Sequence, residues 1–345
     1  MQATMVRTFG RSGIEVSALG IGCWAIGGSF WEGDLPLGYG QVDDEESIRA
    51  IHRAVEMGVT LFDTAGVYGC GQSERLLGRA LGKQRQHVLI ATKVGDRFNE
   101  ETRQITGGLD EFQLDPQTYI RQACEESLRR LQTDYIDLYQ LHFGDYELDK
   151  AIEVREALEQ LVTEGKIRYY GWSTDDPERA RLFAQGKHCT AIQHTLNVFE
   201  DNPAMLAVCK KYNLASINRG PLSMGLLTGK YTSREQIEQE DIRKSQLSWN
   251  PFNSERMPVH LEQLKSVREI LTSEGRTLAQ GALCWIWSRS QWTFPIPGIK
   301  TMAQVEENAA AMRFGTLSQW QMTEIDRLLA KGNKEGEPVE DAQRG

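Results

Sequence analysis

The feature that most constrains this chain is its alternation of short apolar runs with stretches of helical periodicity. After a hairpin-like start, VRTFGRSGIEVS, which turns at Ser12-Gly13, eight strand candidates follow. They are residues 16–22 (VSALGIG), 60–65 (TLFDTA), 87–94 (HVLIATKV), 134–142 (DYIDLYQLH), 167–173 (IRYYGWS), 190–194 (TAIQH), 214–219 (LASINR) and 292–298 (WTFPIPG). All are short and rich in β-branched, aromatic and apolar residues, as strands buried on both faces of a parallel sheet are. Helical patterns lie between them. In DDEESIRAIHRAVEMG, Ile48, Ile51 and Val55 share a face, acids fill the first turn where the helix dipole favours them, and Gly58 marks the stop. Ile120, Cys124, Leu128 and Leu131 form a second such stripe.

Eight strand–helix units without a break in composition predict an α/β fold. The expected form is a (β/α)8 TIM barrel spanning residues 1–345 as one domain, with an N-terminal β-hairpin and long βα loops. An open doubly wound sheet fits less well, because no strand leads into a GxGxxG turn. Residues 95–116 and 230–258 are polar and long enough to be lids, and residues 330–345 read as a disordered tail.

Composition narrows the classes of function. A chain of 345 residues, 40% hydrophobic, can bury a large core. Its net charge of −9 argues against nucleic-acid and anionic-membrane partners, so any anion must be held by a local cluster of donors. The N-terminus lacks the apolar core of a secretory signal and no apolar run reaches spanning length, which predicts a cytoplasmic protein. Cys23, Cys70, Cys124, Cys189, Cys209 and Cys284 are scattered, with neither CxxC nor zinc spacing, so reduced thiols and no metal are expected.

In a barrel of this type the chemistry gathers where the strands end. Strand two ends at Asp63, with Tyr68 five residues on; strand three ends near Lys93 and strand four at His142. Each alone has an ordinary structural explanation: a turn cap, a packing tyrosine, an interior ion pair, a satisfied core histidine. Together they point to proton transfer. A phenol titrates near pH 10 (about) and needs help to act near neutrality. An ammonium beside it favours the phenolate, a carboxylate keeps that ammonium charged and aimed, and an imidazole can donate a hydrogen bond to a carbonyl oxygen.

The run DTAGVYGCGQSERLLGRAL, residues 63–81, resembles the signature of the aldo-keto reductases, D-T-A-x-x-Y-G-x-G-x-S-E followed by L-G-x-A-L. With ATK, QLH and a late IPG, the resemblance covers nearly all of residues 5–330, and the cofactor loops are similar to those of bacterial members and of potassium-channel β-subunits. It implies a (β/α)8 barrel, a nicotinamide cofactor bound without a Rossmann domain, and a catalytic tetrad of Asp63, Tyr68, Lys93 and His142. In that family the tyrosine protonates the carbonyl oxygen as hydride arrives.

The same resemblance implies a cofactor cradle. Ser173 and Gln193 match positions that hold the nicotinamide carboxamide. RGPLSMGLLTGKY (219–231) resembles the family's Y-S-P-L-x-x-G-L-L-x-G-K-Y, which assigns Arg219, Gly220, Pro221, Leu222, Met224, Gly225 and Lys230 to the cofactor. In IPGIKTMAQVEENAA (296–310), Gly298, Lys300, Thr301, Gln304, Glu307 and Asn308 occupy the adenosine-end positions. A phosphate at a helix N-terminus after strand eight also suits the barrel. Lys300 and Thr301 offer a cation and a hydroxyl to an adenosine 2′-phosphate, and no acid stands in 298–305, so NADPH is expected over NADH.

Two departures stand out. Thr174 replaces the asparagine that often follows Ser173, and Arg219 replaces the aromatic residue that usually stacks on the nicotinamide. A guanidinium is planar and can stack, but its charge should loosen NADP⁺ relative to NADPH. Cys23 and Trp24 are expected to wall the mouth of the site. Trp24 and Trp31, with Tyr68 and His142, are the substrate candidates, and Trp172 faces either the barrel wall or the site. The leading expectation is NADPH-dependent reduction of an aldehyde, ketone or open-chain sugar. The alternatives are a redox-neutral epimerase or lyase that retains NADP, and a non-catalytic nucleotide-sensing subunit. Nothing in the sequence separates a monomer from a homo-oligomer.

Overall fold

The computed structural model describes residues 5–108 and 115–335. Eight parallel strands follow one another around the ring in chain order: β1 (Gly20–Gly22), β2 (Leu61–Asp63), β3 (Leu89–Val94), β4 (Ile136–Leu141), β5 (Ile167–Ser173), β6 (Cys189–Thr195), β7 (Ala215–Arg219) and β8 (Thr293–Pro295). Their register sets Gly22 opposite Asp63, Lys93 opposite Gln140, and Ser173 opposite Gln193. Between β8 and β1 the ring is nearly closed: one bridge joins Gly22 to Gly298, with the Gly22 N–H donating to the Pro297 carbonyl at 3.0 Å. Glycine is needed there. A Cβ on Gly20 would stand 2.8 Å from the Ile296 side chain, and one on Gly22 would stand 2.7 Å from the Ile296 carbonyl oxygen.

Alternation along each strand divides the core in two. Leu61, Leu89, Ala91, Leu138, Ala191, Ala215, Ile217 and Phe294 form the cluster inside the barrel. The hairpin, Val6–Thr8 paired with Glu15–Ser17, adds Phe9 and Val16 to it, and the Phe9 ring meets Phe294 edge-on at 5.2 Å. The intervening residues Phe62, Ile90, Tyr139, Leu141 and Ile192 join the larger cluster beneath the helices. The first strand candidate, 16–22, is therefore split, its start belonging to the hairpin and its end to the barrel.

The helices are α1 (Asp44–Glu56), α2 (Gln72–Leu81), α3 (Pro116–Leu131), α4 (Leu148–Thr163), α5 (Pro177–Ala184) and α6 (Pro203–Tyr212). Then come α7 (Arg256–Leu271), α8 (Leu278–Arg289), α9 (Met302–Ala310) and α10 (Gln319–Glu335). Asp43, Asp115 and Asp176 cap α1, α3 and α5 by accepting from first-turn N–H groups. Helix α10 runs past Leu329 to Glu335, so residues 330–335 are helical where the sequence suggested a tail; residues 336–345 lie outside the described part.

The two long loops are more ordered than their composition suggests. Arg97–Asn99 and Gln104–Gly107 pair with each other, and the second joins Trp31–Glu32 and its partner Leu35–Pro36 in a small sheet. Residues 109–114 of the predicted 95–116 loop lie outside the described residues. The 230–258 loop is fastened to the segment after β1: the Ile242 N–H donates to the Gly38 carbonyl at 2.8 Å, and Tyr39 bridges Asp241. Within it the Asn250 amide donates to the carbonyls of Ile242, Arg243 and Ser245.

Candidate active site

Three neighbouring strands deliver the central group. Asp63 ends β2, Lys93 lies near the end of β3, and His142 follows β4 with its N–H on the Val94 carbonyl at 2.8 Å. Tyr68 stands in the loop between β2 and α2. That loop is pressed against the turn after β1, since a Cβ on Gly69 (φ +59°) would lie 1.9 Å from the Gly27 carbonyl oxygen. Only glycine fits so tight a left-handed position.

Lys93 Nζ donates to Asp63 Oδ2 at 2.6 Å, to the Thr64 carbonyl at 2.8 Å and to the Tyr68 hydroxyl at 3.4 Å. Trp24 stacks on the Tyr68 ring, 5.8 Å between centroids, and His142 meets it edge-on at 5.7 Å. The indole N–H of Trp24 is fixed by the Leu37 carbonyl at 3.0 Å.

Burial pushes the Tyr68 phenol above its ordinary value, and Lys93 pulls it only part of the way back. The lysine effect expected from the sequence is thus present but is outweighed by desolvation. Burial also works against the Lys93 charge, yet Asp63 and Tyr68 together overcome it and hold the ammonium above its ordinary range. His142 is held well below its ordinary range, by burial first and then by the cations Lys93 and Arg219. Near neutral pH the site therefore presents a protonated phenol, an ammonium and a neutral imidazole.

These groups face a cavity of about 1630 Å³, larger than the roughly 300–1,000 Å³ of a pocket for one small ligand. Of the catalytic and cofactor candidates, all but Lys93 and Thr301 line it. Lys93 lies behind Asp63 and Tyr68. Thr301 helps to cap α9: its hydroxyl accepts from the Gln304 N–H and the Gln304 side chain accepts from the Thr301 N–H. Lys300 lines the cavity but donates through Nζ to the Tyr39 carbonyl at 2.5 Å.

Along the wall after β7, Ser223, Met224 and Gly225 turn left-handed, at φ 48°, 52° and 105°, and the buried Ser223 hydroxyl has no partner. Arg219 is ion-paired with Asp175 and donates to the Gln193 carbonyl at 3.3 Å. The Thr174 hydroxyl donates to the Gly144 carbonyl at 2.6 Å and takes no place on the cavity wall.

On the substrate side the structure redistributes the aromatics. Trp31 sits in the small loop sheet and does not line the cavity, whereas Phe30, Leu37, Tyr39 and Trp249 do. Trp249 approaches Trp24 at 6.5 Å, although it belongs to the distant 230–258 loop. Trp172 is fully buried against Phe183, with its N–H on the Phe143 carbonyl, and so belongs to the barrel wall. Sequence reasoning also missed Gln140, whose side chain donates to Asp63 Oδ1 at 3.2 Å; the available signal was its place two residues before His142 on the same strand face. Among the described residues no group of three or more His, Cys, Asp or Glu side chains is placed to hold a metal ion, and no helix is long and apolar enough to cross a membrane.

Comparison with known proteins agrees with this geometry. Residues 18–330 match the aldo/keto reductase family. The chain is 33% identical over 300 residues to the aldo-keto reductase YhdN of Bacillus subtilis, covering 86% of this chain and 85% of that one. It superposes on the glycerol dehydrogenase AKR11B4 of Gluconobacter oxydans with a TM-score of 0.79 and 28% identity, covering 100% of each chain. An aldo/keto reductase of Klebsiella pneumoniae, solved in complex with NADP and acetate, aligns with a TM-score of 0.65 and 26% identity over 95% of this chain and 96% of that one.

Proposed function

The chain belongs to the aldo/keto reductase family, and on that premise we propose that it reduces a small aldehyde or ketone to an alcohol, with NADPH as hydride donor and Tyr68 as proton donor. The observation that carries the reading is the Tyr68 hydroxyl at the cavity floor, 3.4 Å from the Lys93 Nζ that Asp63 holds in place. Reduction of a carbonyl needs a hydride at carbon and a proton at oxygen, and in this reading Tyr68 gives the proton. As it leaves, the phenolate forms beside the ammonium, so the charge developed in the transition state meets a positive group already in position. The neutral His142 ring beside Tyr68 can donate a hydrogen bond to the carbonyl oxygen and orient it.

The residues present fit a nicotinamide dinucleotide phosphate. The left-handed turn 223–225, with its unpartnered buried Ser223 hydroxyl, offers a hydrogen-bonding cradle for a pyrophosphate. Ser173 and Gln193 would hold the carboxamide, Arg219 would lie against the ring, and Lys300 at the start of α9 would meet the 2′-phosphate. A reduced nicotinamide bound there supplies the hydride. NADP in the Klebsiella pneumoniae relative supports the same choice of cofactor.

A panel of small aldehydes and ketones with NADPH and NADH tests the reading, followed through the absorbance of the reduced nicotinamide. We expect turnover on part of the panel and a lower KM for NADPH. No consumption of cofactor with any carbonyl, or a preference for NADH, would overturn it.

A further inference from the structure

Beneath the catalytic floor lies a side chain to which the mechanism above gives no part. Gln140 is on β4, facing the barrel interior like Lys93 beside it, and it is completely buried. Its amide nitrogen donates to Asp63 Oδ1 at 3.2 Å, while its amide oxygen is buried without a polar partner. Gln193 donates to the same Asp63 oxygen at 2.7 Å. Asp63 therefore gives one oxygen to Lys93 and the other to two neutral amides.

Two features show that the donor end of Gln140 matters. A flipped amide would set its oxygen against the Asp63 carboxylate, acceptor to acceptor, so the observed orientation is the one electrostatics allows. That orientation leaves a buried acceptor unsatisfied, which is destabilising and uncommon in folded proteins. An apolar side chain of similar length would avoid this cost but supply no donor.

The two amides are not equivalent. Gln193 also lines the cofactor cavity, whereas Gln140 does not. We infer that Gln140 is a positioning residue of the proton relay: it holds Asp63 from the side Lys93 does not occupy, and it does so independently of the cofactor. Hydrogen bonding from the amide moderates the pull of Asp63 on the Lys93 ammonium and its repulsion of a Tyr68 phenolate. Gln193, by contrast, joins recognition of the nicotinamide carboxamide to the same carboxylate. The inference rests on Tyr68 being the proton donor.

The test is Gln140→Met, which keeps the length and removes both the donor and the unsatisfied oxygen. Without the donor, Asp63 acts more strongly on both neighbours. The phenol then titrates higher, is a weaker acid, and stays protonated to higher pH. We expect kcat for carbonyl reduction to fall about tenfold and its basic limb to move up by about one pH unit. The NADPH Kd, the carbonyl KM and the melting temperature should hold or, for the last, rise. Gln193→Met should lose kcat and NADPH affinity together. Should the methionine variant fail to fold, Gln140→Asn, too short to reach Asp63, is read in the same way.

A wild-type kcat, a lower kcat with an unmoved basic limb, or a parallel loss of NADPH affinity in Gln140→Met would overturn the inference. Ultraviolet difference titration of the Tyr68 phenol, with Tyr68→Phe as the blank, reads the same shift without turnover. A wild-type protein that reduces no carbonyl would refute the proposed function, while this titration would still decide the role of Gln140.

Discussion

The two ends of the barrel interior are built from the same strands and have opposite chemistry. Toward the hairpin, Leu61, Leu89, Leu138 and Phe294 pack against Phe9 and Val16 with no ionic group among them. Two residues farther along β2 stands Asp63, two beyond Ala91 stands Lys93, two beyond Leu138 stands Gln140, and two beyond Ala191 stands Gln193. One period of a strand thus separates an apolar plug from a buried ion pair. Such a pair adds little net stability, because desolvation offsets its attraction. The apolar end fastens the strands, and the polar end can hold charges because the other end has already fixed the backbone.

Tyr68→Phe is the strongest way to test that division. It should cut kcat by about 10²- to 10⁴-fold, the usual range for loss of a positioned general acid, while melting temperature and NADPH binding hold. A comparable loss of stability would mean that the polar end also fastens the fold. Phe294→Ala is the converse change. It should cost about 3–5 kcal/mol of unfolding free energy, as large-to-small changes in packed cores do, with kcat per folded molecule preserved. Chemical denaturation beside an active-site titration checks both quantities.

Acid sharpens the contrast through three histidines, His194 and His260 buried and His142 half-buried at the cavity. Burial holds His142 well below its ordinary range and takes His194 and His260 down to about 4. Their unfolded counterparts accept a proton near pH 6.5 (about) while the folded rings stay neutral. Stability therefore falls as pH drops below that value, by on the order of 1 kcal/mol per pH unit for each such group until the folded ring titrates. Melting curves from pH 7 to 5 check the slope (approximate limits). His142→Gln should flatten it by the share of that one ring. The smallest expected effect is at the rim: Arg219→Tyr should tighten NADP⁺ several-fold more than NADPH in a binding titration, since a cation no longer opposes the oxidised ring. Equal tightening of both would remove charge from the account.

Much of this was legible in the sequence, for reasons that also explain what was not. Buried parallel strands read as apolar runs, so the eight barrel strands and the three that carry Asp63, Lys93 and His142 could be placed. The signature loop located Tyr68 because its close approach at Gly69 admits only glycine and so leaves a mark in the sequence. Gln140 was hidden because its meaning depends on strand parity and on Gln193 reaching the same oxygen from two strands away. Trp249 was hidden because tertiary hydrogen bonds, Ile242 to Gly38 among them, carry its loop to Trp24. Trp31 attracted attention by its nearness to Trp24 in the chain, but it lies in the loop sheet instead. Thr301 was readable in another way: Thr301-Met302-Ala303-Gln304 has the spacing of a reciprocal helix cap, in which its hydroxyl accepts from the Gln304 N–H.

The narrow join between β1 and β8 bears on any effort to make this enzyme withstand heat. An engineer would reach first for that gap and find it closed to larger residues, because side chains at Gly20 or Gly22 would strike Ile296. The leverage lies outside the ring. Helices α1 and α9 pack together across the join, and Arg53 pairs with Glu306 at 2.8 Å while the Met302 N–H meets Glu46 at 3.1 Å. Exposed ion pairs of this kind contribute only about 0.2–1 kcal/mol. Added apolar contact between those two helices would act as a clasp, tightening the barrel where its hydrogen bonding is thinnest and leaving the strands that carry Asp63, Lys93 and Gln193 untouched.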